Sequence, residues 1–209
     1  MPAPRPAERL RPLRDDPDGR RYAQAVVPLV HDAGRPYFDW LFGGPEAARG
    51  RLAGWSARAS SEVALDRVTV LLDDGEPAGL FVALPGAELA ACRKADAVAL
   101  LRETESSERP AFVERLAAVR SLFAPVEERE WYLSKLAVAP ARRGRGLGGR
   151  LADAYLAAGA EQGFTRFRLD VDAGNAAALG LYESRGFRVA HDRSSETAGL
   201  RYLGLVREA

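Results

Sequence analysis

The residues with the most chemistry in them lie in one stretch, LAVAPARRGRGLGG, from Leu136 to Gly149. Gly144, Gly146 and Gly149 are spaced as in a dinucleotide-binding Gly-x-Gly-x-x-Gly, with Arg143 and Arg145 among them. An apolar run precedes the loop and the helix-forming GLGGRLADAYLAAGAEQG follows it, so the loop opens a helix. Orphan N–H groups and the helix dipole at such an N-terminus favour an anion, and phosphate suits both. Glycines let the backbone approach phosphate oxygens where a Cβ would hold it off, and guanidinium groups add charge-assisted contacts. Asp170, on the next strand, stands where the dinucleotide pattern wants an acid. Against that frame, Pro140 to Arg143 separate the strand from its glycines, and the chain after Gly149 is too short for five more strands of a dinucleotide-binding sheet. No Lys-Ser/Thr follows the glycines, which excludes a P-loop. A disordered, basic Arg-Gly segment for RNA is also a poor match, because this loop is wedged between an apolar strand and a helix.

Other reactive side chains are few. His31 and His191 are the only histidines and lie outside the loop; both are read as structural. Cys92, the single cysteine, reads as buried filler and not as a nucleophile. No His/Cys cluster has metal-ligand spacing, so no metal is expected.

The elements that position the loop follow from period and punctuation. After a Pro-rich start, expected to fray over about 1–8, RLRPLR suggests a short strand, and DDPDGR supplies turn and N-cap residues. A helical region runs from about Arg21 through YFDWLFGG until Gly43-Gly44-Pro45, and a second helix covers Glu46 to Ala59. VTVLL and AGLFVAL flank DDGEP as a hairpin. From about 90 to 123 two helices are expected, broken at SSERP and ended by Pro125. REWYLSKLAVAP is a strand stopped by Pro140, and FTRFRLDVD a strand of period two. NAAALGLYESRGF is a short helix with Asn175 as N-cap and Gly186 as its left-handed stop, and FRVAH and GLRYLGLVR are closing strands. The expectation is one α/β domain over 1–209 with a mixed sheet.

With Lys+Arg 30 against Asp+Glu 29, no global field draws the chain to nucleic acid or an acidic membrane, so neither is an expected partner. No apolar leader and no long apolar run is present, and a lone cysteine fits a reducing compartment; a cytoplasmic protein is expected.

Two segments together carry a resemblance. Arg143-Gly144-Arg145-Gly146-Leu147-Gly148, followed by Asn175, Ala178, Leu181, Tyr182, Gly186 and Phe187 in the Asn-x-x-Ala…Leu-Tyr-x-x-x-Gly-Phe pattern, resembles the Gcn5-related N-acetyltransferase (GNAT) superfamily. The resemblance implies that fold, with two central parallel strands that splay apart between flanking helices, and with the 90–123 helices as an insertion. It implies acetyl-CoA as cosubstrate, its pantetheine lying along Leu136, Ala137 and Val138, its pyrophosphate on the backbone from Arg143 through Gly144, Arg145, Gly146 and Leu147 to Gly148, and Asn175 nearby. It implies transfer of the acyl group to an amine of a small molecule or peptide by direct attack in a ternary complex. Tyr182 matches the family tyrosine that protonates the departing thiolate; as a residue, it serves equally as an aromatic packed on the sheet.

The base stays open. Where several members carry a glutamate, this chain has Tyr132. Alternation puts Glu130, Tyr132 and Ser134 on one strand face, so Glu130 is a candidate through water, or a solvated carboxylate; Asp170 and Asp172 are further candidates or turn caps. RPYFDWLFGG and the insertion fall where the family builds acceptor sites, their aromatics serving as core or as ligand contacts. A non-catalytic acyl-CoA-binding module is the alternative function, and a second copy of the chain, as a homodimer, is a further candidate partner.

Overall fold

The computed structural model describes residues 9–15 and 19–209; the start at 1–8 and the centre of the DDPDGR turn lie outside them. Strand β1 (Arg9–Pro12) is followed by helices α1 (Ala23–Ala33), α2 (Tyr37–Phe42) and α3 (Pro45–Ser56). The hairpin β2 (Val68–Asp73) and β3 (Glu76–Pro85) forms as expected, with Asp74 and Gly75 both at positive φ, the twist-matched two-residue turn that Asp-Gly favours. Helices α4 (Gly86–Glu103) and α5 (Arg109–Val119) fill the expected helical stretch, α4 beginning earlier than Ala90. Then come β4 (Glu130–Val138), α6 (Leu147–Glu161), β5 (Arg166–Asp172), α7 (Ala176–Glu183), β6 (Arg188–Ser195) and β7 (Leu200–Glu208).

The strands form one mixed sheet in the order β1-β2-β3-β4-β5-β7-β6, in which β4 and β5 are the parallel pair. Alternation along the strands divides the apolar residues between two cores, one on each face. Val70, Leu80 and Val82 pack with Val26, Val30 and Leu52 of α1 and α3. Leu71, Phe81, Leu133 and Leu169 pack with Leu147, Leu151 and Tyr155, which lie at helical spacing along α6. Each such leucine contributes about 1.5–3 kcal/mol by leaving water. Gly159 lets α6 sit close, since a Cβ there would come 2.5 Å from the Trp131 ring. Among the described residues no helix is long and apolar enough to cross a membrane.

Candidate active site

β4 and β5 pair from Glu130 with Arg166 to Leu133 with Leu169, and no further, although both strands continue. The cause lies on the other side of β4. Val82 of β3 faces Lys135 and Ala83 faces Leu133, so Ser134 is one residue too many, a β-bulge that bends β4 where the parallel ladder ends. The strands part into a cleft of about 860 Å3. Leu136, Ala137 and Val138 line it from β4, and Asp170 and Asp172 from β5. Pairing with β3 continues to Val138, so the edge of β4 left open is the one towards β5, and an extended ligand can add to it as a strand would.

The glycine loop closes one end of this cleft. Gly144 and Gly146 take φ of 76° and 77°, and a Cβ at either would meet nothing within 4 Å, so the demand for glycine is one of backbone conformation. Gly149, third glycine of the dinucleotide frame, carries no such demand. Leu147 and Gly148 line the cleft as the first turn of α6, where N–H groups have no intrahelical partner. The Arg143 amide instead donates to the Pro140 carbonyl at 3.3 Å. The loop's arginines are paired within the protein: Arg143 with Asp32 at 2.8 Å, Arg145 with Asp73 at 2.9 Å and Arg142 with Asp73 at 3.0 Å. Arg143 still lines the cleft; Arg145 does not. Across the cleft, Asn175 Oδ1 accepts from the Ala178 amide at 3.1 Å and caps α7, and Tyr182 reaches the cleft from that helix. Burial pushes the Tyr182 phenol well up, with Arg185 opposing, so it stays protonated.

A model of the acetyltransferase (GNAT) family matches residues 31–187, on the segments that build this cleft. The chain belongs to the GNAT family. GNAT acetyltransferases transfer acyl groups from acetyl-CoA. The chain resembles an N-acetyltransferase from Staphylococcus aureus Mu50 with a TM-score of 0.68 at 17% identity, over 90% of this chain and 96% of that one. It resembles SsHAT with a TM-score of 0.58 at 21% identity, over 97% and 98% of the two chains. Against the NatC complex bound to Gag peptide and CoA the TM-score is 0.52 at 16% identity, over 96% and 98%. No curated protein matches the sequence.

In this GNAT chain a second cavity, of about 260 Å3, adjoins the cleft, and Ala33, Ser134, Lys135, Asp170 and Tyr202 line both. Of the aromatics expected as core or as ligand contacts, Tyr37, Phe38 and Phe123 line this chamber while packing in or against the apolar core. Charged groups at its floor form one linked set. Glu62 accepts from Ser134 Oγ at 2.5 Å and from Arg93 Nε at 3.0 Å, with Lys135 Nζ 3.7 Å away. Burial alone would raise the Glu62 carboxyl, but Arg93, Lys135 and the Ser134 hydroxyl outweigh it and hold it at about 2. Burial lowers Lys135, with Glu62 opposing. Arg93 Nη2 donates to Tyr132 Oη at 3.0 Å, and Tyr132 donates to Asp170 Oδ2 at 3.1 Å; Arg168 donates to Asp170 Oδ1 at 3.0 Å. Burial raises Asp170 despite Arg168 and Arg93.

Glu130 lines neither cavity. It is buried, not solvated as one expectation had it, and its carboxylate is held by Arg166 at 2.8 Å and by the Glu127 amide at 2.8 Å. Sharing a strand face with Tyr132 does not bring it to either cavity, because this ion pair holds it where β4 and β5 are still zipped together. His31 lies against Asp39 at 2.6 Å and Cys92 is buried. Glu62, Arg93, Asp96 and Lys135 had not been singled out from the sequence. Asp96 had a signal: with Leu89, Cys92 and Leu100 it lies on the buried stripe of α4, an acid where the helical period wants an apolar residue. Glu62, in a loop, had none.

Proposed function

We propose that this GNAT acetyltransferase moves the acetyl group of acetyl-CoA to a primary amine of a small-molecule acceptor by direct attack in a ternary complex. One observation carries the proposal: the cleft and the aromatic chamber share a wall at the strand splay, so two ligands can meet there without either having to leave. Acetyl-CoA fits the cleft on two counts, an unpaired strand edge for its amide-bearing arm and a glycine-shaped helix N-terminus for its pyrophosphate. In this proposal Leu136, Ala137 and Val138 hold the arm through their backbone, and amides from Gly144 to Gly148 hold the phosphates, with Arg143 and Asn175 alongside. Arg145 fixes the loop through Asp73 instead of touching phosphate.

When bound, acetyl-CoA supplies an activated thioester carbonyl. Alkyl amines have a pKa near about 10, so the acceptor must lose a proton to attack. Asp170, facing both cavities and raised by burial, takes that proton in place of Glu130. Glu62, held at about 2 by its cations, is too weak a base and serves to fix Arg93 and Lys135. Tyr182 gives its proton to the departing thiolate. Residues 1–209 act as one domain, α4 and α5 being the insertion that walls the chamber.

The test is acetyl-CoA titration by calorimetry together with thiol release against a panel of small primary amines. Binding with amine-dependent release is expected. Binding without release for any amine leaves an acyl-CoA-binding module; no binding removes the assignment.

A further inference from the structure

The acceptor chamber balances its charges with one exception. Glu62 is met by Arg93 and Lys135, and Asp170 by Arg168 and Tyr132. Arg120 lines the chamber but is exposed. Asp96 is 4% exposed and lines the chamber from α4, yet no ion pair reaches it among the described residues. Its Oδ2 accepts from Ser61 Oγ at 3.1 Å and from the Glu62 amide at 3.0 Å. Its Oδ1 is buried with no partner. Arg58, whose charge acts on Asp96, is bonded to Glu103 through Nη1; its Nη2 is buried without a partner, and it does not line the chamber. A second lining residue carries an atom in the same state: Trp55 Nε1 on α3 is buried without an acceptor. Buried polar atoms are nearly always paired, and a lone carboxylate oxygen is the costliest to leave bare. Two residues that line one chamber thus each carry a polar atom that lacks a partner within the protein.

Resting on the acetyl-transfer reading above, we infer that the acceptor carries a second, distal cationic nitrogen, which Asp96 Oδ1 receives at the α4 wall while the reacting amine stands at the strand splay. The observations favour a cation over a neutral donor because Asp96 is the chamber's acid without an ion-pair partner, and the lining of the same chamber includes the aromatic residues Tyr37, Trp55 and Phe123. The class is a short diamine, or a larger amine whose two nitrogens have that spacing. Asp96 is thus a specificity-determining residue and takes no part in the proton transfers.

The experiment compares 1,5-diaminopentane with pentylamine, by calorimetric binding in the presence of CoA and by thiol release from acetyl-CoA, in the wild type and in Asp96→Asn. The asparagine keeps an acceptor for Ser61 and Glu62, removes the charge, and presents N–H where Oδ1 stood. The wild type is expected to bind and use the diamine about tenfold or more better than the monoamine. Asp96→Asn is expected to lose that margin through KM, with kcat and CoA affinity kept. Equal handling of the two amines by the wild type overturns the inference, as does a variant that keeps the margin. A diamine margin in binding, lost in the variant but without turnover, upholds the anchor and sinks the transfer reading. Should the variant fail to fold, the wild-type comparison of the two amines still decides.

Discussion

Glu62→Gln tests the charge architecture of the chamber through stability. Glu62 is 12% exposed at its side chain and faces Arg93, Lys135 and Ser134. A carboxyl held at about 2 in the folded chain, against an ordinary 4.5, contributes roughly 3 kcal/mol. The sign follows from the depressed value: the contribution is complete above the ordinary pKa and is lost as pH falls from about 4.5 to about 2. Glutamine mimics the protonated acid, so it should remove the same roughly 3 kcal/mol at neutral pH and leave Arg93 and Lys135 without their counter-ion. The assay is urea unfolding followed by circular dichroism at several pH values for both proteins. Their midpoints should lie far apart at pH 7 and converge towards pH 2 to 3. A constant gap across that range would falsify the charge linkage, and no gap at any pH would show that Glu62 is not the counter-ion of these cations.

Three further outcomes concern the chemistry. Gly146→Val should keep the fold at a cost of about 1–2 kcal/mol or somewhat more, since its Cβ meets nothing but φ is 77°, and should weaken CoA binding severely; unchanged affinity by calorimetry would remove the phosphate cradle. Tyr182→Phe should lower kcat by about a hundredfold or more, the usual contribution of a placed acid, and leave CoA affinity nearly intact; full turnover would return Tyr182 to packing alone. The kcat/KM of the wild type should rise with pH through a limb set above the ordinary aspartate range, because Asp170 is raised by burial and works deprotonated; a low residual rate in Asp170→Asn without that limb is expected, and an unaltered limb assigns it to another group.

Local rules carried the turns and caps around the cleft from sequence to structure. The Asp-Gly turn, the Asn175 cap and the positive φ of Gly186 are each set within a few residues, and each is found. Positive φ falls at Gly144 and Gly146, and Gly146 belongs to both the dinucleotide frame and the frame beginning at Arg143, so backbone conformation does not choose between them. The chamber was not legible, because its residues meet only in the fold: Glu62 from a loop, Arg93 and Asp96 from α4, Lys135 from β4. Glu130 misled for the same reason. Alternation gives a side chain's face, but the ion pair with Arg166, 36 residues away, decides where its charge is held.

The bulge at Ser134 works by number, not by side-chain type. One extra residue between Leu133 and Lys135 ends the zipper with β5 and sends two successive side chains into one chamber. Removing it would restore the alternation, let Lys135 take up the next rung opposite Asp170, and close the space in which donor and acceptor are proposed to meet. Relatives are therefore better compared by the length of chain between Trp131 and Val138 than by which residue stands at 134: a spacer held constant preserves the opening whatever its chemistry, and a single deletion erases it with every proposed reactive group still present.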